Sequence, residues 1–287
     1  MLGQTVSTYL RDSGHDVYST SRREVSRKIE INSIRFDAIE NDLGILNLRD
    51  NFYDYVINCI GIIRHRITES NESIKRAILV NSIFPLKLLK EIEGSPTKLI
   101  QIGTDCVFSG RAGSYSESAV KDPIDFYGYS KAMGEISSQN QMLLRCSIIG
   151  RENENHLSLM EWLLRQAINS KVNGFIDHKW NGLTTLAFAK ILNGIISQEH
   201  FESGVFHVVP GNQVTKFELL QIMASTFRRG DLHIYPTSSS APVDRTLSTG
   251  FIKENERFWE SANYGHIPSI QDMLREYEIH IRKLLSE

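Results

Sequence analysis

Apolar and polar positions alternate along this chain with two different periods. Residues 4–13 repeat apolar side chains at the helical interval and stop at Gly14, which predicts an amphipathic helix. HDVYSTS (15–21) and IRFDAI (34–39) are short β-rich runs, and YVINCIG (55–61) is a nearly continuous apolar strand closed by Gly61. Residues 73–93 read as a long helix interrupted near Pro85, KLIQIGT (98–104) as a strand, 127–138 as a helix and QMLLRCSIIG (141–150) as a strand. Strands that are apolar throughout and alternate with helices predict a parallel sheet covered on both faces.

The second half changes in character. HLSLMEWLLRQAIN (156–169) predicts an amphipathic helix, 172–196 a short strand and turn followed by a helix, and GVFHVVPG (204–211) a strand. KFELLQIMASTF (216–227) and SIQDMLREYEIHIRKLL (269–285) read as helices. This half is expected to hold fewer strands and more polar loops. The expected organisation is a dinucleotide-binding unit over 1–150 and a mainly substrate-binding unit over 151–287. Parts of 172–210 are expected to pack back on the first unit.

Composition adds little to this picture. The 287 residues are 41% hydrophobic and 23% charged, with a net charge of -2. That is globular composition with no basic excess, so nucleic acid is not an expected partner. The three cysteines form no C-x-x-C pair and no disulfide framework, which suits a reduced, cytoplasmic setting. No run of about 18 apolar residues predicts a membrane span, and residues 1–14 lack a signal-peptide pattern. No metal-ligand spacing stands out.

The chemistry concentrates at one triplet. Tyr127 and Lys131 lie four residues apart in FYGYSK, and Thr104 stands 23 residues before that Tyr at the end of a strand. A Tyr hydroxyl has a pKa of about 10. A Lys one helical turn away shares its face and is expected to lower that value. A Thr hydroxyl at a strand end could hold a substrate oxygen beside the Tyr. Such a set can protonate a carbonyl while a hydride arrives from the other side.

The start of the chain departs from the pattern. A dinucleotide fold opens with a strand and a glycine turn before its first helix, whereas Met1-Leu2-Gly3 leads straight into the helix. Gly3 reads as the last glycine of a G-x-x-G-x-x-G turn. The expectation is a reading frame that begins upstream, and a 287-residue chain that is marginally stable and binds cofactor poorly.

The segments INCIG (57–61), VNSIFP (80–85), IGTDCVFSG (102–110), YGYSKAMGE (127–135), LRCSIIG (144–150), NGLTTLAFAK (181–190) and VDRTLST (243–249) resemble the extended short-chain dehydrogenase/reductase superfamily. Within it they look most like the dTDP-4-dehydrorhamnose reductase group of nucleotide-sugar reductases. The resemblance implies a Rossmann-type doubly wound α/β fold with a smaller α/β C-terminal substrate domain. It implies Tyr127 as general acid, Lys131 as its partner and ribose contact, and Thr104 on the reacting oxygen. It places Asp105, Cys106, His156 and Arg245 beside the substrate. It places Leu2, Gly3, Ser21, Arg22, Asp37, Ala38, Cys59, Ile60, Gly61 and Asn81 along the cofactor. Plainer roles stay open: Asn81 as a polar residue inside a helix, Asp37 as a strand-end cap.

Hydroxyls and guanidinium groups in Thr20-Ser21-Arg22-Arg23 suit a 2′-phosphate, because Arg binds phosphate bidentately. They favour NADPH, with NADH as the alternative. Related dehydratases carry an acidic residue where this chain has Cys106, so that reading lacks its base. Cys106 with His156 resembles instead the pair by which GDP-fucose synthase-type enzymes epimerise carbons beside the ketone. The implied function is reduction of a nucleoside-diphosphate 4-keto-6-deoxy sugar for surface polysaccharide. The rivals are an epimerase-reductase and a non-catalytic nucleotide-binding regulatory subunit. A homodimer is an open expectation.

Overall fold

The computed structural model describes residues 1–22, 32–49, 53–152 and 156–286. Its first half runs α1 (Leu2–Asp12), β1 (Ser19–Ser21), β2 (Ser33–Arg35), β3 (Tyr55–Asn58), α2 (Asn71–Ile78), α3 (Phe84–Glu91), β4 (Lys98–Ile102), α4 (Phe126–Met133) and β5 (Gln141–Arg145). The second half adds β6 (Ile148–Ile149), α5 (Leu159–Leu164), β7 (Lys171–Phe175), β8 (His178–Trp180), β9 (Leu183–Thr184) and α6 (Thr185–Ser197). It ends with β10 (Gly204–His207), β11 (Val214–Thr215), α7 (Lys216–Thr226), β12 (His233–Thr237), β13 (Val243–Asp244), α8 (Ile252–Ser261) and α9 (Ile270–Ser286).

The main sheet has the order β10-β5-β4-β3, and every pair in it is parallel. Successive residues of β4 serve opposite layers. Leu99 joins the core formed with Phe84, Leu88 and Ile92, while Ile100 and Ile102 join the core that takes in Val6, Leu10 and α6. Val56 of β3 packs on the first of these cores and Tyr55 and Ile57 on the second. Period-2 side chains buried on both faces are the physical content of a doubly wound, Rossmann-type sheet. Each such Leu or Ile contributes about 1.5–3 kcal/mol by leaving water. β1 and β2 form a separate parallel pair, and among the described residues no strand joins them to β3.

The helix over 73–93 is interrupted near Pro85, as expected: Leu79–Ile83 is a wider π turn, and Pro85 sits in the first turn of α3. A Pro lacks an N–H and crowds the preceding turn, and the wider turn accommodates it. The run 34–39 stops being a strand at Arg35, because Asp37 Oδ1 accepts from the Ile39 N–H at 2.8 Å and folds a turn. The helix expected over 156–169 spans only Leu159–Leu164. The second half holds more strands than the first: eight of the thirteen among the described residues lie beyond Cys146. Most are two or three residues long, too short for an alternating pattern to register. Among the described residues no helix is long and apolar enough to cross a membrane.

Candidate active site

β4 delivers the chain to Thr104, whose Oγ1 accepts from the Cys106 N–H at 3.2 Å and caps the turn Asp105–Val107. The same hydroxyl donates to Asp105 Oδ1 at 3.2 Å. Facing this turn, α4 starts on Asp125, whose Oδ1 accepts from the Gly128 N–H at 2.8 Å. Gly128 allows α4 to seat directly on the turn, since a β-carbon there would stand 2.3 Å from the Cys106 carbonyl oxygen. Tyr127 is thereby held within hydrogen-bonding reach of Thr104.

Lys131 follows one turn along α4, is buried, and its Nζ donates to the Ile102 carbonyl oxygen at 2.8 Å. Burial lowers its pKa, while Glu135, Cys146 and Cys59 act the other way. Tyr127 does not behave as the Tyr–Lys spacing predicts. Its pKa is raised, by burial first and then by Cys106, with only the Thr104 hydroxyl pulling it down among the leading causes. Desolvation dominates, and Lys131, engaged with a strand carbonyl, is not among the leading causes. The phenol is therefore held protonated, the form that donates.

Asn81, fully buried in the π turn, braces this arrangement. Its Nδ2 donates to the Ile62 carbonyl and to Ser130 Oγ, and its Oδ1 accepts from the Ile62 N–H at 2.8 Å. It thus ties the loop after β3 to α4. The other cofactor candidates are spread over α1, the β1–β2 pair and the loop after β3. Leu2 and Cys59 share the main core, and a β-carbon on Gly3 would meet Cys59 Cβ at 3.3 Å. Ile60 and Ala38 pack on the second core, and Gly61 is exposed. Asp37 spends its carboxylate on the turn at Ile39. Ser21 ends β1 and Arg22 is exposed just beyond it, while Arg23 lies outside the described residues. The close approach of α1 to Cys59 and the buried Lys131 fit a dinucleotide laid over the end of β3. Among the described residues no acidic, His or Cys cluster could hold a metal ion.

Among the residues expected beside the substrate, Asp105 and Arg245 both act electrostatically on Cys106. Burial, then Asp105, pushes the Cys106 thiol up to about 12, so it is a neutral thiol near pH 7. His156 belongs to a different cluster: its ring nitrogens meet Glu161 Oε2 at 3.3 Å and Arg165 Nη2 at 2.7 Å. The structure does not bring Cys106 and His156 together as a pair. Arg64 Nε lies 3.0 Å from Asp125 Oδ2, beside the cap of α4. One residue escaped the sequence reading. Lys216 acts electrostatically on Asp105 and Cys106, and burial pushes it down to about 8. A Lys in the first turn of a helix carries no signal that separates it from a surface residue.

Residues 1–248 match the model of the family described as RmlD substrate binding domain. A dTDP-4-keto-6-deoxy-D-glucose reductase of Streptomyces niveus is 28% identical over 183 residues, 60% of this chain and 59% of that protein. Methionine adenosyltransferase 2 subunit beta of Xenopus tropicalis is 26% identical over 203 residues, 67% of this chain and 59% of that protein. The chain thus spans about three fifths of the length of these relatives. Among solved structures, the dTDP-4-dehydrorhamnose reductase of Bacillus anthracis in complex with NADP is similar with a TM-score of 0.74 at 17% identity. That likeness covers 98% of this chain and 95% of the other.

Proposed function

The chain belongs to the RmlD substrate binding domain family, and on that footing we propose that it is a cytoplasmic, NADPH-dependent reductase of a nucleoside-diphosphate 4-keto-6-deoxy sugar. NADH is the alternative coenzyme, and surface-polysaccharide sugar synthesis the process served. The observation that carries the reading is the convergence of Thr104, Tyr127 and Lys131 at the end of β4. The Streptomyces niveus relative, named for a dTDP-4-keto-6-deoxy sugar, supports the substrate class. The Bacillus anthracis neighbour, solved with NADP, supports the coenzyme. Leu2, Gly3, Cys59, Ile60, Gly61 and Lys131 would hold the dinucleotide, with Ser21 and Arg22 towards its 2′-phosphate.

When bound, the dinucleotide supplies the hydride. Tyr127, neutral and buried, donates its proton to the carbonyl oxygen as that oxygen gains negative charge. Thr104 turns its one hydroxyl proton from Asp105 to the same oxygen and so holds it beside the phenol. Lys131, fixed on the Ile102 carbonyl, keeps a positive charge one helical turn from that phenolate. α3 and α4 leave Leu86, Phe126, Tyr129 and Met133 exposed, which suits a homodimer through these helices.

The test is NADPH oxidation at 340 nm with dTDP-4-keto-6-deoxy-D-glucose. Turnover that disappears in Tyr127→Phe supports the reading. A second reading, a non-catalytic nucleotide-binding subunit, is favoured by the likeness to methionine adenosyltransferase 2 subunit beta. It gains if the unaltered chain binds NADPH yet oxidises it no faster than Tyr127→Phe.

A further inference from the structure

Helix α7 opens on Lys216, and Thr215 and Glu218 form a capping box that fixes its first turn. The preceding strand β11 pairs with β8, Val214 opposite Trp180. The Lys216 side chain accordingly stands over the indole, with Nζ 5.2 Å from the ring centroid. That platform is itself fixed: Trp180 is buried and its Nε1 donates to Ser147 Oγ at 2.9 Å. On the other flank β13 pairs with β8 and leads into Arg245, whose Nε donates to the Phe108 carbonyl at 2.9 Å.

The groups acting on Lys216 are Asp105 and Cys106 of the turn after β4, and Arg245 after β13. Tyr127 feels the same Asp105 and Cys106 from the side of α4. Lys216 and Tyr127 therefore flank one turn. Lys216 and Arg245 are the cations of this flank; Asp105 is the carboxylate that acts on Lys216, and Asp125, on the side of α4, acts on Cys106 and Tyr127. Burying an ammonium is costly unless it is paired.

We propose that Lys216 is a substrate-binding residue of this site, its ammonium held on Trp180 and pairing, with Arg245, to an oxyanion that the substrate brings beside the Asp105–Cys106 turn. The inference rests on the nucleotide-sugar reading above. Two sources carry that chemistry, the diphosphate and a carboxylate on the sugar ring. Pairing with the oxyanion restores what desolvation takes from the ammonium, so binding near pH 8 draws a proton onto Lys216. Cys106, pushed up to about 12, stays protonated there and cannot supply the effect.

The experiment is titration calorimetry with dTDP, dTDP-glucose and dTDP-glucuronic acid on the unaltered chain, Lys216→Met and Lys216→Arg. Buffers of different ionisation enthalpy at pH 8 report the proton. Lys216→Met is expected to weaken binding about 10- to 100-fold. Lys216→Arg is expected to keep affinity within a few fold while losing the proton uptake, and it keeps the test valid if the Met variant misfolds. Equal losses for all three ligands identify the diphosphate, and a loss confined to dTDP-glucuronic acid identifies the carboxylate. Unchanged affinity in Lys216→Met, or unchanged proton uptake in Lys216→Arg, overturns the proposal alone. No binding by the unaltered chain removes the nucleotide-sugar reading and this proposal with it.

Discussion

Lys131 Nζ donates to the carbonyl oxygen of Ile102 at 2.8 Å, joining α4 to the strand that presents Thr104. Replacing Lys131 by Met has two opposed effects on stability. It relieves a buried ammonium whose pKa burial has lowered, and it leaves the Ile102 carbonyl without that donor. Each is on the order of 1–3 kcal/mol, so they largely offset. Turnover has no such compensation and is expected to fall about 10²- to 10⁴-fold. Thermal melts run beside steady-state NADPH oxidation check this. Undiminished turnover would remove Lys131 from the mechanism, and a collapse of the melting temperature would make its role structural.

The direction of the Tyr127 shift sets a second expectation. Burial, then Cys106, holds its hydroxyl above the ordinary pKa of about 10. In the free chain it should remain protonated from neutral pH to at least pH 10. Phenolate absorbance at 295 nm is the direct probe, taken as the unaltered chain minus Tyr127→Phe. The difference should stay flat over that range. A step between pH 6 and 8 would mean that the Lys131 charge governs the phenol after all.

Gly128 carries a stability prediction with a functional signature. A β-carbon at this position would stand 2.3 Å from the Cys106 carbonyl oxygen and 2.7 Å from Pro123 Cβ. The first contact is with backbone, which cannot rotate away. Gly128→Ala should cost about 1–3 kcal/mol or more, as overpacking does. It should also lift α4 off the turn that holds Thr104, lowering kcat more than it raises KM. Denaturant melts and kinetics that both match the unaltered chain would show that the turn moves freely.

The legible parts of this fold are those whose signals are local. Continuous apolar runs such as KLIQI announce a strand buried on both faces, and the Tyr127–Lys131 spacing announces a shared helical face. The triplet was readable because strand end and helix start are each marked in sequence. The sign of the Tyr127 shift was not, because desolvation depends on what covers the ring. Lys216 was invisible for a related reason: β11, β8 and β13 are two or three residues long, and only their pairing brings it over Trp180. The surroundings of His156 were not legible either, since only the fold brings its ring to Glu161 and Arg165.

His207 gives the fold a defined sensitivity to acid. It pairs in register with Arg145 across β10 and β5, and its Nε2 lies 3.0 Å from Arg145 Nη1. Its Nδ1–H donates to the Ser248 carbonyl at 2.7 Å, so the neutral tautomer satisfies both partners. Arg145 is already committed to Glu135 by two hydrogen bonds of 2.9 and 2.7 Å. Burial, then the opposed pulls of Glu117, Ser248 and Arg145, leaves the His207 pKa below its ordinary value of 6.5. The unfolded chain therefore binds a proton near pH 6.5 that the folded chain refuses until lower pH. Unfolding free energy should be fully present above about pH 6.5 and decline as pH falls towards the folded pKa. Urea titrations from pH 7.5 to 5.5 measure the slope. His207→Gln keeps an acceptor for Arg145 and loses the titration, so it should be about 1–3 kcal/mol less stable at pH 7.5 and show a shallower slope. A variant that keeps the full slope would place the acid sensitivity on another group.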